Sequence, residues 1–231
     1  MAARLAVVAL VLALPTGATA TPRGVEISRL PTRAKVVSLT FDAAWDDSGV
    51  RPVLAALARH HATATFFVTG RWVKRYPRAA RRIGRRYPVA NHSWSHPQMS
   101  GLSAVAIRKE VRQAQWWIRA GTGRDPRPFF RFPYGDRSAR AIAVVNALGY
   151  TSVRWSVDTW GWMGPAEGQS KATVLHRVET MLSPGEIVLL HLGANRDGST
   201  LDADALPAIL RLLNRRGYRT VTLDHYVSAP R

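Results

Sequence analysis

Short apolar runs and longer amphipathic stretches alternate along most of this chain. Runs rich in β-branched and aromatic residues fall at Lys35–Phe41, Thr63–Thr69, Pro88–Asn91, Phe129–Phe132, Thr151–Val157, Glu186–His191 and Tyr218–Leu223, and each reads as a strand. Between them, apolar positions recur at helical spacing near 49–60, 72–86, 103–120, 138–148, 171–182 and 202–216. Punctuation supports several of these helices. Ser103 is placed to cap the helix through Arg119, with Gly121 behind it, and Ser138 to cap the helix through Leu148, with Gly149 behind it. Strands alternating with helices, with no break in composition, predict an α/β fold with a helix-wrapped parallel sheet in a single domain. The pattern fits an open doubly wound sheet and a closed barrel equally well.

The first 20 residues stand apart. Arg4 precedes an apolar run from Leu5 to Leu14, a Pro15/Gly17 break and Ala18-Thr19-Ala20, the layout of a secretory signal peptide. A membrane anchor is the alternative, but the run is only about half the usual spanning length. No later segment is apolar enough to cross a membrane. The expected organisation is a signal peptide over 1–20, a poorly ordered leader over 21–33 and one domain over 34–227. The expected location is secreted or cell-wall associated.

Composition narrows the chemistry. There is no cysteine, which excludes disulfides and thiolate metal sites, so any metal must use His, carboxylate and water. The net charge of +18 is carried mostly by Arg. Export argues against nucleic acid as the partner and favours an anionic cell wall. Nothing in the sequence points away from a monomer.

Unusual polar residues gather where the strands end. Asp42 follows Val36–Phe41; His92 and His96, four residues apart, follow the third run; Arg131-Phe132-Pro133-Tyr134-Gly135 ends the fourth; Asp158 ends the fifth; and His191 ends Ile187–Leu190. In βα folds the loops at the carboxyl ends of the strands converge on one face, where catalytic groups sit. A His pair at this spacing suits a divalent metal such as zinc. His60, His61, His176 and His225 lie in or beside helical and terminal segments and read as non-functional.

Taken together, Leu39-Thr40-Phe41-Asp42, His92/His96, Arg131-Phe132-Pro133-Tyr134, Val157-Asp158-Thr159 with Trp162, and Leu189-Leu190-His191 resemble, in order and spacing, the NodB-homology polysaccharide deacetylases, carbohydrate esterase family four. The resemblance covers roughly 33–226 and implies an irregular (β/α) barrel of about seven parallel strands. It also implies metal-dependent hydrolysis of an N-acetyl group on an amino sugar. By that resemblance His92 and His96 are metal ligands, Asp42 is the general base, and Arg131 orients it. The backbone N–H of Tyr134 is an oxyanion donor, and His191 is the general acid, with Asp158 its expected partner. Trp162, with Trp160 beside it, is expected to wall the sugar groove.

The chain departs from the family pattern in two places. Most members carry a second aspartate directly after the base, as the third protein ligand of the metal. Here that position is Ala43, followed by Ala44. Many members also have an aspartate just before the tryptophan of the fourth motif, where this chain has Gly161. Three outcomes are open at Ala43: substitution by Asp46 or Asp47, a weak site of two histidines and water, or a non-catalytic relative that only binds wall glycan. The leading expectation is a secreted hydrolase removing N-acetyl groups from amino-sugar polysaccharide, most simply peptidoglycan. An O-acetyl (xylan) esterase is the enzymatic alternative.

Overall fold

The structure, a computed structural model, describes residues 26–227. The proposed signal peptide at 1–20 and residues 21–25 of the leader lie outside the described residues. Nine strands and seven α-helices alternate along the described chain. The strands are β1 (Glu26–Ile27), β2 (Val36–Ala43), β3 (Thr65–Val68), β4 (Val89–Asn91), β5 (Phe129–Phe130), β6 (Thr151–Val153), β7 (Val157–Asp158), β8 (Glu186–His191) and β9 (Arg219–Thr220). The helices are α1 (Val50–Arg59), α2 (Gly70–Arg75), α3 (Pro77–Gly84), α4 (Ala104–Thr122), α5 (Ala139–Asn146), α6 (Lys171–Met181) and α7 (Leu201–Arg215).

The strands run in the order β1-β6-β5-β4-β3-β2-β8-β7, with β9 beside β2, and every ladder is parallel. The result is a curled half-barrel, the irregular (β/α) barrel that the resemblance implied. Strand β2 is central and buried along its whole length, as expected of a parallel strand covered on both faces. Alternation sorts its side chains. Val37, Leu39, Phe41 and Ala43 join the apolar layer that includes Val53 and Leu57 of α1 and Leu206 and Ile209 of α7. The alternate positions, Val36, Ser38, Thr40 and Asp42, become polar toward the carboxyl end.

Register then sets the height of each candidate site residue. Asp42 pairs with His191 on β8 and with Phe67 on β3, Val68 pairs with Asn91, and Asn91 with Phe130. His92 and Arg131, each one residue beyond its strand, therefore arrive at the same end of the half-barrel as Asp42 and His191.

Local structure differs from the sequence expectations at four places. The expected leader contains β1, which pairs with β6; nearby, Leu30 is buried and Arg29 binds Glu186 at 3.0 Å, so the domain begins earlier than residue 34. The helix expected over 72–86 is broken at Tyr76, because Pro77 opens a new helix at its first position. The run at 151–157 divides into β6 and β7. Helix α4 runs through Gly121 to Thr122 and is closed by Gly123 in the left-handed conformation (φ 73°). Ser103 and Ser138 cap their helices as expected, accepting from the N–H groups of Ala106 and Ala141.

Candidate active site

Asp42 is 7% exposed, and its Oδ1 accepts a hydrogen bond from an Arg131 guanidinium nitrogen at 2.7 Å. Arg131 is fully buried and held on several sides. It donates to Thr40 Oγ1 at 3.0 Å and to the carbonyls of Val153 and Arg154, and its guanidinium lies 4.0 Å from the centre of the Phe67 ring. Burial alone would raise the Asp42 carboxyl, but Arg131, His92 and His191 outweigh it and hold the pKa below the ordinary value. Asp42 is thus an ionised carboxylate aimed at one place.

The two strand-end histidines sit on a tight loop. His92 Nδ1 lies 2.8 Å from the carbonyl oxygen of Arg131. A carbonyl only accepts, so Nδ1 carries the hydrogen and Nε2 presents its lone pair. His96 Nε2 lies 3.2 Å from His92 Nε2, and Asp42 Oδ2 lies 3.4 Å from the same atom. Burial first, then His92, pushes the His96 pKa down to about 3, which keeps that ring neutral and able to donate a lone pair. The loop needs left-handed backbone at Ser93 (φ 69°) and His96 (φ 61°). Glu110 of α4 clamps it, accepting from the N–H groups of Trp94 and Ser95 at 3.0 and 2.8 Å and from the Ser95 hydroxyl at 2.8 Å.

Two converging imidazole nitrogens suit a divalent cation of the zinc type. Among the described residues, however, no group of three His, Asp or Glu side chains is arranged to hold one. Ala43 is fully buried in the outer apolar layer. Asp46 is not a substitute ligand, because its carboxylate accepts from the N–H of Ala194 at 3.0 and 3.1 Å and of Ser48 at 2.9 Å. The donor set fits a site of two histidines completed by water.

His191 faces this group from β8. Its Nδ1 lies 3.4 Å from Asp202 Oδ2, and the same oxygen accepts its backbone N–H at 2.8 Å. Burial pulls the imidazole pKa down, but Asp202, Asp42 and Asp158 together outweigh it, and the net direction is up. Asp158, expected as the carboxylate partner that raises the His191 pKa, acts in that direction but does not make the hydrogen bond. Asp158 Oδ1 accepts from the N–H of Trp160 at 3.0 Å, and burial raises its own pKa. It acts on His191 through space only, while Asp202, a residue the sequence reading passed over, makes the contact.

Asp42, His92, His96, Tyr134, Asp158, Trp162 and His191 all line one cavity of about 360 Å³. Arg131 lies beneath it. The Tyr134 ring meets the His96 ring edge-on at 4.5 Å, above a backbone bent to φ 57°. Trp162 is 55% exposed on the opposite rim. Trp160 does not line the cavity; the Arg177 guanidinium covers its ring at 3.3 Å. A second hollow of about 780 Å³ adjoins the first, shares Trp45, Trp162, Ala194 and Asn195 with it, and continues past Met163–Glu167.

The model of the polysaccharide deacetylase family matches residues 29–153. Over 194 residues the chain is 31% identical to the peptidoglycan-N-acetylmuramic acid deacetylase PdaA of Bacillus subtilis, covering 84% of this chain and 72% of that protein. It is 33% identical over 210 residues to a chitooligosaccharide deacetylase of Sinorhizobium fredii, covering 86% and 96%. Among solved structures, a CE4 family pseudoenzyme from Bacillus anthracis superposes with a TM-score of 0.80 at 28% identity, covering 90% of this chain and 72% of that one. A mutant of that pseudoenzyme described as having restored enzymatic activity also gives 0.80, at 30% identity and covering 88% and 71%.

Proposed function

The chain belongs to the polysaccharide deacetylase family, and from that membership we propose that it removes N-acetyl groups from amino-sugar polysaccharide outside the cytoplasm, with peptidoglycan the substrate. The observation that carries this reading is the ionised Asp42 paired in register with His191 at one cavity, with the Nε2 atoms of His92 and His96 beside it. The signal-peptide pattern expected at residues 1–20 supports export, and the excess of Arg supports an anionic wall as the partner.

A divalent cation held by His92 and His96 would supply Lewis acidity to the acyl oxygen and to nearby water. The protein's own groups do the rest. Asp42 takes a proton from the attacking water, and Arg131 keeps it ionised and pointed. The Tyr134 backbone N–H meets the negative charge that develops on the acyl oxygen. His191 gives a proton to the departing amine. Trp162 offers an apolar wall to the sugar ring.

The pH dependence follows from the two shifts. Asp42 must be ionised, so activity falls at low pH, as the medium passes its depressed pKa. His191 must be protonated, so activity falls at high pH, as the medium passes its raised pKa. The expected rate profile is a bell whose alkaline limb lies above the ordinary imidazole value of about 6.5.

Two observations favour a second reading, a wall-binding protein without turnover. The pair His92/His96 has no third protein ligand among the described residues, and the fold is close to that of a protein described as a pseudoenzyme. Acetate release from purified peptidoglycan, with zinc added and with chelator, separates the two. Release that chelator abolishes supports the deacetylase. Binding to insoluble wall with no release at any metal concentration selects the second reading.

A further inference from the structure

Asp202 lies in the first turn of α7, where an acidic residue is ordinarily explained by the helix dipole. Its surroundings call for a different explanation. The carboxylate is 3% exposed and turned toward β7 and β8. Oδ2 takes the His191 N–H at 2.8 Å and lies 3.4 Å from His191 Nδ1, while Oδ1 accepts the Thr159 hydroxyl at 2.7 Å.

Room for this carboxylate comes from Gly161. A Cβ added there would lie 2.3 Å from Asp202 Oδ1 and 2.6 Å from its Cγ. Gly161 is not among the residues of positive φ, so its backbone does not require glycine; the space does. Residue 161 is also where the family resemblance leads one to expect an aspartate.

We propose that Asp202 is the positioning residue of His191, its carboxylate occupying the volume that a side chain at residue 161 would fill. The carboxylate is delivered from α7 instead of from the loop after β7. Contact at Nδ1 fixes the tautomer and leaves Nε2 free for the leaving amine. The other titratable groups facing His191 are Asp158 from β7, Asp42 from β2, and His92 and His96 from the loop after β4. Among the described residues, none of these hydrogen-bonds to its ring.

The acid role of His191 rests on the deacetylase reading, but the contact itself does not, so the test begins without turnover. The imidazole of His191 is titrated by NMR in ¹⁵N-histidine-labelled protein. Asp202→Asn should lower its pKa by about one unit or more and disturb the tautomer, and Asp158→Asn should move it less. Combining Asp202→Gly with Gly161→Asp should bring the titration back toward the parent, because the carboxylate returns to the same volume from the other side. Should Asp202→Asn fail to fold, Gly161→Ala displaces the same carboxylate with the residue kept, and should lower the pKa in the same direction. An unmoved titration in the folded Asp202→Asn or Gly161→Ala variant, or a larger shift in Asp158→Asn, overturns the assignment. The alkaline limb of acetate release should move with the NMR pKa. If the parent releases no acetate while the NMR shift is present, the deacetylase reading fails and the positioning role stands.

Discussion

The two sides of the cavity are built differently. The side of the proposed base, Asp42 with Arg131 and His92, grows from the sheet: its residues sit on or one step beyond β2, β4 and β5, almost without exposure. The side of the proposed acid, His191 with Asp202, Asp158 and Trp162, combines one strand end with loops and the first turn of a helix, and the His191 side chain is more than a quarter exposed. Ladder register fixes the first to within a residue, whereas the second depends on how a loop and a helix dock. The base side is therefore costly to alter, and the acid side is open to rearrangement, as the carboxylate from α7 illustrates.

The sharpest way to break that contrast is Asp42→Asn. It removes the proposed base while keeping size and most hydrogen bonds, so kcat should fall by about 10²–10⁴ with an unchanged circular dichroism spectrum. A variant keeping half its activity would remove Asp42 from the mechanism. Next is Arg131→Met, which leaves the Asp42 carboxylate buried without its partner. Breaking a buried pair this way costs about 3–5 kcal/mol. Urea unfolding reads the loss, and a midpoint near that of the parent would show that Arg131 is not what stabilises this side.

A smaller effect is expected at Ala43. This residue packs in the outer apolar layer, so a carboxylate there has no water to face. Ala43→Asp should melt below the parent and, because residue 43 faces the outer layer and not the cavity, should leave zinc affinity by calorimetry unchanged, with His92→Ala as the control. Clearly tighter binding would mean that the strand end turns residue 43 toward the cation. The mildest change is Trp162→Ala on the acid side. Loss of one exposed aromatic wall should raise KM about tenfold and leave kcat within a factor of about two. A loss confined to kcat would assign Trp162 to the chemistry instead of the groove.

The same contrast governs what could be read from the sequence. The run Val36–Phe41, closed by Asp42, announces a buried strand and a functional residue at its end, and ladder register then carries that height to His92, Arg131 and His191. Asp202 carries no such mark. An aspartate in a first helical turn is ordinary, and only the contact with His191 and the bare backbone at Gly161 separate it from a dipole partner. Glu110 was hidden in the same way, as one charged residue on an amphipathic helix whose grip on the Trp94–Ser95 turn exists only in three dimensions. Strand β1 was missed because two residues cannot show a period. The break at Tyr76 had a visible signal in Pro77, which the helical spacing on either side obscured.

Among the described residues, four of the five non-glycine residues with left-handed backbone, Ser93, His96, Tyr134 and Trp160, lie in the loops of this one region. Each conformation costs on the order of 1 kcal/mol or more and persists only while its neighbours enforce it. The loops around the cavity thus carry backbone strain that the buried sheet does not. On heating, activity should disappear several degrees before the buried sheet melts, so that thermal tolerance of the fold and working range of the enzyme are separate properties. Selecting variants for melting temperature alone would favour glycine at these four positions and would improve the scaffold while dissolving its site.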